Sequence, residues 1–598
     1  MKVATPPSAR ARALKFPGLV RAGSAFLGLY CAGALGQAVP DAGSLLQQQQ
    51  RTAPPALKPL PGGEAPAVER PALKAGTGAK VLVRRIKVSG AEGLASAQEL
   101  EAAMAPALGK EFDFAGLEQL ADELTRLLRS RGWLLARAYL PQQDLTAGEL
   151  EIAVLQGRIE GDARGAGIEV RRAAGVRLSE ERVRLTVAGS VFRGQDGTPH
   201  VEDLERAVLL LNDLPGVQAR SSLGKGGAPN TTRVAIETSE GPLMSGSVWM
   251  DNYGNRYTGA IRANVMGSLN DPTGHGDQAS LMATDAEGLA MGRASYSLPL
   301  GYGGLRAQAS VGTLRYKIGK DQAALRSTGG ADTYSLGLTY PLLRSRGANV
   351  SLSANYDHKA LEDRTLGVAT RDKRVDSFTF GLSADRYDQW LGGGLTNAMI
   401  SVTTGRLDLS RVPTDLAADA TTARTNGGYA KLAFSLARLQ RVGEDTSVFA
   451  SVSGQWSGRN LDTSEKFFLG GPSAVRAYPT GEASGDRGWV GTLELRHDLP
   501  GLRALGLGDV QALGFLDAGQ VALQANPFAP PTNASGRNAY SLSGYGAGLN
   551  VGSPGRYNVR LAYSRALGLN PGRSAAAGTN SDGVTGLSRV WLFGMISF

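Results

Sequence analysis

Two periodicities divide the chain. From residue 81 to about 240, apolar side chains recur at helical spacing between short strand-like runs, and beyond Pro242 they alternate with a period of two. Residues 81–88 predict a strand and 97–104 a short helix. Leu117, Leu120, Leu124, Leu127 and Leu128 share one face of a second helix, and strands follow around 134–140 and 149–155. The same β-α-α-β-β order returns, degraded, over 158–240, with strands at 167–170, 217–222 and 231–238 and helices at 179–187 and 201–211. Tandem copies of one small α/β unit, 81–157 and 158–240, predict a repeat arm suited to docking.

In the second region each stretch has one oily and one wet face. Phe378, Phe380, Leu382 and Ala384 alternate with Ser377, Thr379, Gly381, Ser383 and Asp385; Ala430, Leu432, Phe434 and Leu436 alternate with Tyr429, Lys431, Ala433 and Ser435. A soluble sandwich and a membrane barrel share this local signature, so periodicity leaves both open. Connection lengths separate them. Sixteen candidate strands begin near residues 245, 257, 276, 292, 305, 331, 348, 374, 394, 426, 445, 487, 509, 541, 555 and 589. From the fifth onward, gaps of about 14–29 residues after odd strands alternate with gaps of about 2–10 after even ones. Long outer loops and short inner turns belong to an outer-membrane barrel, the closed sheet that satisfies every strand hydrogen bond in lipid. The expected fold is therefore an all-β transmembrane barrel of sixteen antiparallel strands over 241–598, preceded by two α/β units.

Composition refines the ends. The 598 residues include 80 glycines, and net charge is +10. Lys2, Arg10, Arg12, Lys15 and Arg21, with no acid, precede an apolar stretch over 22–35, so residues 1–36 read as a signal peptide. Its removal leaves a net charge of +5, so the basic balance is no nucleic-acid footprint. The one cysteine, Cys31, leaves too, which excludes thiol catalysis and disulfides in the mature chain. Residues 37–50 allow one short helix starting near Asp41 or Ser44. The six prolines within 51–80 then predict an extended linker.

Candidate chemistry is sparse. His200, His275, His358 and His497 are scattered, and neither a G-x-S-x-G elbow nor a P-loop occurs. No enzyme, metal or cofactor is expected. The longest connection, 458–486, contains Phe467-Phe468-Leu469-Gly470-Gly471 and Val475-Arg476-Ala477-Tyr478, too apolar for a surface decoration. Glu494 and Arg496 alternate with Leu493 and Leu495, and Asp517 shares a face with Phe515 and Gly519, opposite Leu516 and Ala518. With the leucines facing lipid, these charges face the lumen. A loop folded inward brings Arg476 against Asp517; in the alternative, Arg476 is an exposed loop cation and Asp517 a solvated pore lining. Spacing leaves both open.

These stretches, together with Gly485-Asp486-Arg487-Gly488, Leu210-Leu211-Asn212-Asp213-Leu214-Pro215-Gly216 and Asn270-Asp271-Pro272-Thr273-Gly274, closely resemble the signatures of the TpsB transporters of two-partner secretion. The resemblance covers the mature chain in order and implies a plug helix over 37–50, two POTRA domains, and a barrel whose Arg476, at the tip of an inward loop, pairs with Asp517. It implies ATP-independent export of an unfolded TpsA-type β-helical exoprotein, such as an adhesin, haemolysin or toxin, captured by the POTRA domains. It also implies outer-membrane lipids around the barrel and insertion by the barrel assembly machinery. An assembly factor of the same superfamily and a solute-diffusion porin are the rival readings; the former typically carries three or five POTRA repeats, and the latter has no use for the 81–240 arm. Where the family usually has glycine this chain has Ala477. If that position needs a positive φ, alanine would cost about 1 kcal/mol or more.

Overall fold

The computed structural model describes residues 40–52, 80–133, 135–192, 200–229 and 231–598. The expected signal peptide and all but the ends of the expected linker lie outside the described residues. Sixteen antiparallel strands close into one barrel in chain order, and the last, Ser588–Ser597, pairs back onto the first, Met244–Asp251, in register Ser247↔Ser597 to Asp251↔Phe593. Among the described residues no helix is long and apolar enough to cross a membrane.

The period-two pattern sets the two faces. Phe378, Phe380 and Leu382 of the eighth strand, Val368–Asp388, point outward, as do Leu493, Leu495 and Leu516. Lys373, Val375 and Ser377, on the alternate positions, are buried within. One expected loop is absent. The seventh strand, Ala348–Thr365, and the eighth turn through Leu366–Gly367 alone, so the strict alternation of long and short connections fails there. The charges that read as a loop, including Lys359, Asp363, Arg371 and Lys373, are strand residues whose partners sit inside the barrel.

Each α/β unit packs two helices on a small sheet. In the first, Asp113 caps Phe114–Ser130 by accepting from the Gly116 N–H at 2.8 Å, and Leu117, Leu124 and Leu128 bury against Leu150 and Ile152. The 81–88 segment breaks into Val81–Leu82 and Arg85–Ser89, and Arg85–Ser89 runs parallel to Glu149–Gln156. In the second unit Thr231–Glu240 is central, parallel to Ile168–Arg172 and antiparallel to Val217–Lys225.

The second unit is bolted to one rim of the barrel, at the turn after the second strand and at the end of the sixth strand, Thr328–Arg344. Ser179 N–H donates to Gly274 O at 2.9 Å, Arg206 Nη2 to Pro341 O at 2.9 Å, and Arg344 grips Asp213 through two nitrogens, each at 2.8 Å. Within this joint Asp271 is fully buried; its Oδ1 accepts from the Gly276 N–H at 2.6 Å, and Oδ2 meets no donor. Burial, with the Glu240 carboxylate beside it, pushes Asp271 up to about 6. A carboxyl whose folded pKa is raised costs stability above that pKa, and the cost is relieved as pH falls through it. Lowering pH from 7.5 to 5 should therefore raise the hydrogen-exchange protection factors, each taken against the intrinsic rate at its own pH, in 271–277 and in the helix Val201–Asn212. Asp271→Asn should flatten that dependence, and protection factors unchanged or lower at pH 5 would contradict it.

Candidate functional site

The connection 458–486 between the eleventh and twelfth strands, Thr446–Ser457 and Arg487–Asp498, folds into the barrel. Phe467–Phe468 pairs with Ser484–Gly485 as a miniature hairpin. Phe467, Leu469, Val475, Ala477 and Tyr478 form an apolar cluster with Val490, Val521, Tyr540 and Leu542 of the wall. This burial drives the loop inward and delivers Arg476 to the wall as its tip.

Arg476 is held on every side. Its Nε and Nη2 donate to Asp517 Oδ2 and Oδ1 at 2.9 and 2.8 Å, a bidentate fork, and Nη1 donates to Glu494 Oε1 at 2.6 Å. Arg496 grips Glu494 in turn at 2.6 Å. The Arg476 guanidinium carbon lies 3.4 Å from the centre of the Phe515 ring. Thr492 Oγ1 donates to Asp517 Oδ1 at 2.9 Å, so the carboxylate that receives the arginine is itself oriented. Breaking a buried pair by removing one partner typically costs ~3–5 kcal/mol, because the other charge stays stranded.

Of the residues singled out in the sequence, Arg476, Asp517, Phe515, Glu494 and Arg496 come together here. Val475, Ala477 and Tyr478 pack the loop, and Tyr478 Oη reaches Ser543 O at 3.4 Å. A Cβ on Gly519 would sit 2.4 Å from Leu469 Cδ1, so this glycine admits the loop. Ala477 does not adopt a positive φ; nearby, Gly471 at 127°, Gly481 at 86° and Ala483 at 57° do. The strain expected at Ala477 is therefore absent. The glycines of the fourteenth strand, Ala539–Ser553, make room: a Cβ on Gly544 would lie 2.5 Å from Ala477 Cβ, and one on Gly546 would lie 2.4 Å from the Phe515 ring. The four histidines are elsewhere; His275 and His497 bond to nearby threonines, His358 to Asp376, and His200 packs on Trp133.

A second element fills the lumen. Asp41 and Ser44 cap each other's N–H groups at 2.9 and 3.0 Å and start the helix Ala42–Thr52, which ends two residues beyond the expected limit. Leu45 and Leu46 pack against Leu289, Leu314 and Tyr316 of the wall and Tyr257 of the connection between the first two strands. Asp41 Oδ2 accepts from Thr463 Oγ1 at 2.7 Å and Arg371 Nη1 at 3.1 Å, and Lys373 lies 3.6 Å away, itself paired with Asp462 at 2.6 Å. At the other end Gln49 Oε1 accepts from Arg262, which pairs with Asp251 at 2.7 Å. The sequence singled out neither these lumen cations nor the Glu465 that joins Lys359 to Lys431 at 2.6 and 2.8 Å.

A closed sixteen-stranded barrel with an inward-folded loop, a helix in its lumen and the second of two α/β units fixed to one rim is the architecture of an outer-membrane barrel occupied from within. The haemolysin secretion/activation protein ShlB/FhaC/HecB family matches residues 230–551, and the ShlB-type POTRA domain matches 81–157. The chain belongs to that family and is an outer-membrane transporter of two-partner secretion with its POTRA units in the periplasm; the family exports TpsA-type exoproteins. It is 27% identical over 477 residues to the heme/hemopexin transporter protein HuxB of Haemophilus influenzae, covering 77% of this chain and 79% of HuxB. The outer membrane transporter CdiB of Escherichia coli is 28% identical over 464 residues, covering 75% and 74%. The solved structure of CdiB from Escherichia coli aligns with a TM-score of 0.68 at 23% identity, covering 94% of this chain and all of that one, a likeness of fold.

The glycine contacts yield a direct test. Gly544→Val should push the loop tip off the wall and raise conductance in planar bilayers. Gly514→Val, at a position with nothing within 4 Å, should leave conductance at its parental level.

Proposed function

We propose that the POTRA units, 81–157 and 158–240, take up the exoprotein unfolded, by strand addition at a sheet edge, and that the barrel, 241–598, conducts it outward once the lumen is cleared. In this reading residues 1–36 leave as the signal peptide, 51–80 tether the helix, and the helix within 37–50 and the loop 458–486 are the two obstacles. The pair Arg476–Asp517, supported by Glu494, holds the loop in the closed position. The observation that carries the reading is that all three nitrogens of the Arg476 guanidinium donate to wall carboxylates while the helix lies in the same lumen.

Direction comes from folding of the cargo outside the cell, since the sequence offers no nucleotide site to power the step. An adhesin, a haemolysin and a contact-dependent toxin all fit such a passage, which acts as a conduit with no catalytic chemistry of its own. Lipids of the outer membrane solvate the apolar belt, and the barrel assembly machinery inserts the protein.

Arg476→Ala and Asp517→Ala should each cut export of the cognate exoprotein at least tenfold with the barrel still assembled, read as secreted protein in culture medium against heat-modifiable barrel in membranes. Normal export in both variants would end the gate reading. Removing residues 37–50 should raise single-channel conductance; an unaltered value would remove the helix from the role of plug.

A further inference from the structure

The guanidinium is half of what holds the loop tip; the backbone carbonyl of the same residue is held as firmly. Ser564 Oγ, on the fifteenth strand Tyr557–Ala566, donates to Arg476 O at 2.7 Å, and Trp591 Nε1, on the sixteenth strand, donates to the same oxygen at 2.7 Å. Ser564 is fully buried and Trp591 nearly so. The Arg476 N–H donates to Asp517 Oδ2 at 3.1 Å. One residue thus touches the twelfth, thirteenth, fifteenth and sixteenth strands, with Gly544 of the fourteenth left open beneath Ala477.

Trp591 is itself set in place. Its ring meets Tyr253 edge-on at 5.8 Å, and Tyr253 stacks on Phe593 at 6.2 Å. The indole N–H therefore points at the tip without rotamer freedom. A bidentate ion pair fixes the end of a long, flexible side chain, and the backbone N–H bonds to the same carboxylate, which leaves the peptide able to pivot about Asp517. Two donors converging on the carbonyl supply the second fixed point.

We infer that Ser564 and Trp591 are positioning residues of the gate, which hold the Arg476 carbonyl so that its guanidinium meets Asp517 and Glu494 in register. This rests on the gate reading above and extends it from the charged pair to the two last strands of the barrel. Withdrawing either donor leaves the buried carbonyl one hydrogen bond short and should shift the docked-to-undocked ratio of the tip about tenfold.

Val475 is fully buried beside the tip, and Cys31, the one native cysteine, lies in the expected signal peptide, so Val475→Cys provides a single reporter thiol. In the detergent-purified protein, maleimide labelling of that thiol should run about tenfold faster with Ser564→Ala or Trp591→Phe, and Ser564→Thr, which restores the hydroxyl, should return it to the parental rate. Heat-modifiable migration should be retained throughout, which separates positioning from loss of the barrel. Parental labelling in Ser564→Ala and Trp591→Phe, with fast labelling in Arg476→Ala, would overturn the proposal and leave the gate standing. Fast labelling in all three with normal export from Arg476→Ala would instead sustain the positioning role and defeat the gate.

Discussion

A cation taken from water into a crowded lumen has to be neutralised where it stops, and that requirement organises the interior of this barrel. Arg476 reaches a wall that offers Asp517 in a fork and Glu494 at the side, with Phe515 beneath the guanidinium plane. The desolvation of such a group is only just offset by its partners. The arrangement therefore contributes little to stability and much to specificity, since one docking position satisfies it and every displaced one strands a charge.

The same logic extends along the lumen. Lys359, Lys373 and Lys431 of the wall meet Glu465 and Asp462 on the loop, so the loop is tied to the wall by charge near its start as well as at its tip, while Lys466 and Asp486 pair within the loop itself. Asp41 joins this network and ties the helix to loop and wall together through Thr463 and Arg371. Asp41 thus supplies a carboxylate to Lys373 and Arg371, and its loss would leave them underpaired, which couples the helix energetically to the loop and the wall.

The barrel and its inner and outer faces were legible because a period of two is the direct imprint of lipid on one side and water on the other. Leu493, Leu495 and Leu516 mark the wall on which Glu494, Arg496 and Asp517 must turn inward. The long hairpin around Leu366–Gly367 was not legible: lysines, arginines and aspartates in a strand resemble a loop until their partners on a distant segment are known. Arg476 and Asp517 are separated by 41 positions, and spacing alone cannot place a loop tip. Ser564 and Trp591 act through a backbone oxygen, so their identities carry no charge pattern that could have exposed them. The concern over Ala477 dissolved because the turn places its positive φ at Gly471, Gly481 and Ala483 instead.

The central claim is that Arg476 and Asp517 act as one lock, and a double-mutant cycle on pore opening tests it most directly. Open probability in planar bilayers would be compared for the parent, Arg476→Ala, Asp517→Ala and the double variant. A single lock predicts that each replacement opens the pore and that the double variant is no more open than Arg476→Ala alone. Independent contributions, with the two effects multiplying in the double variant, would contradict it.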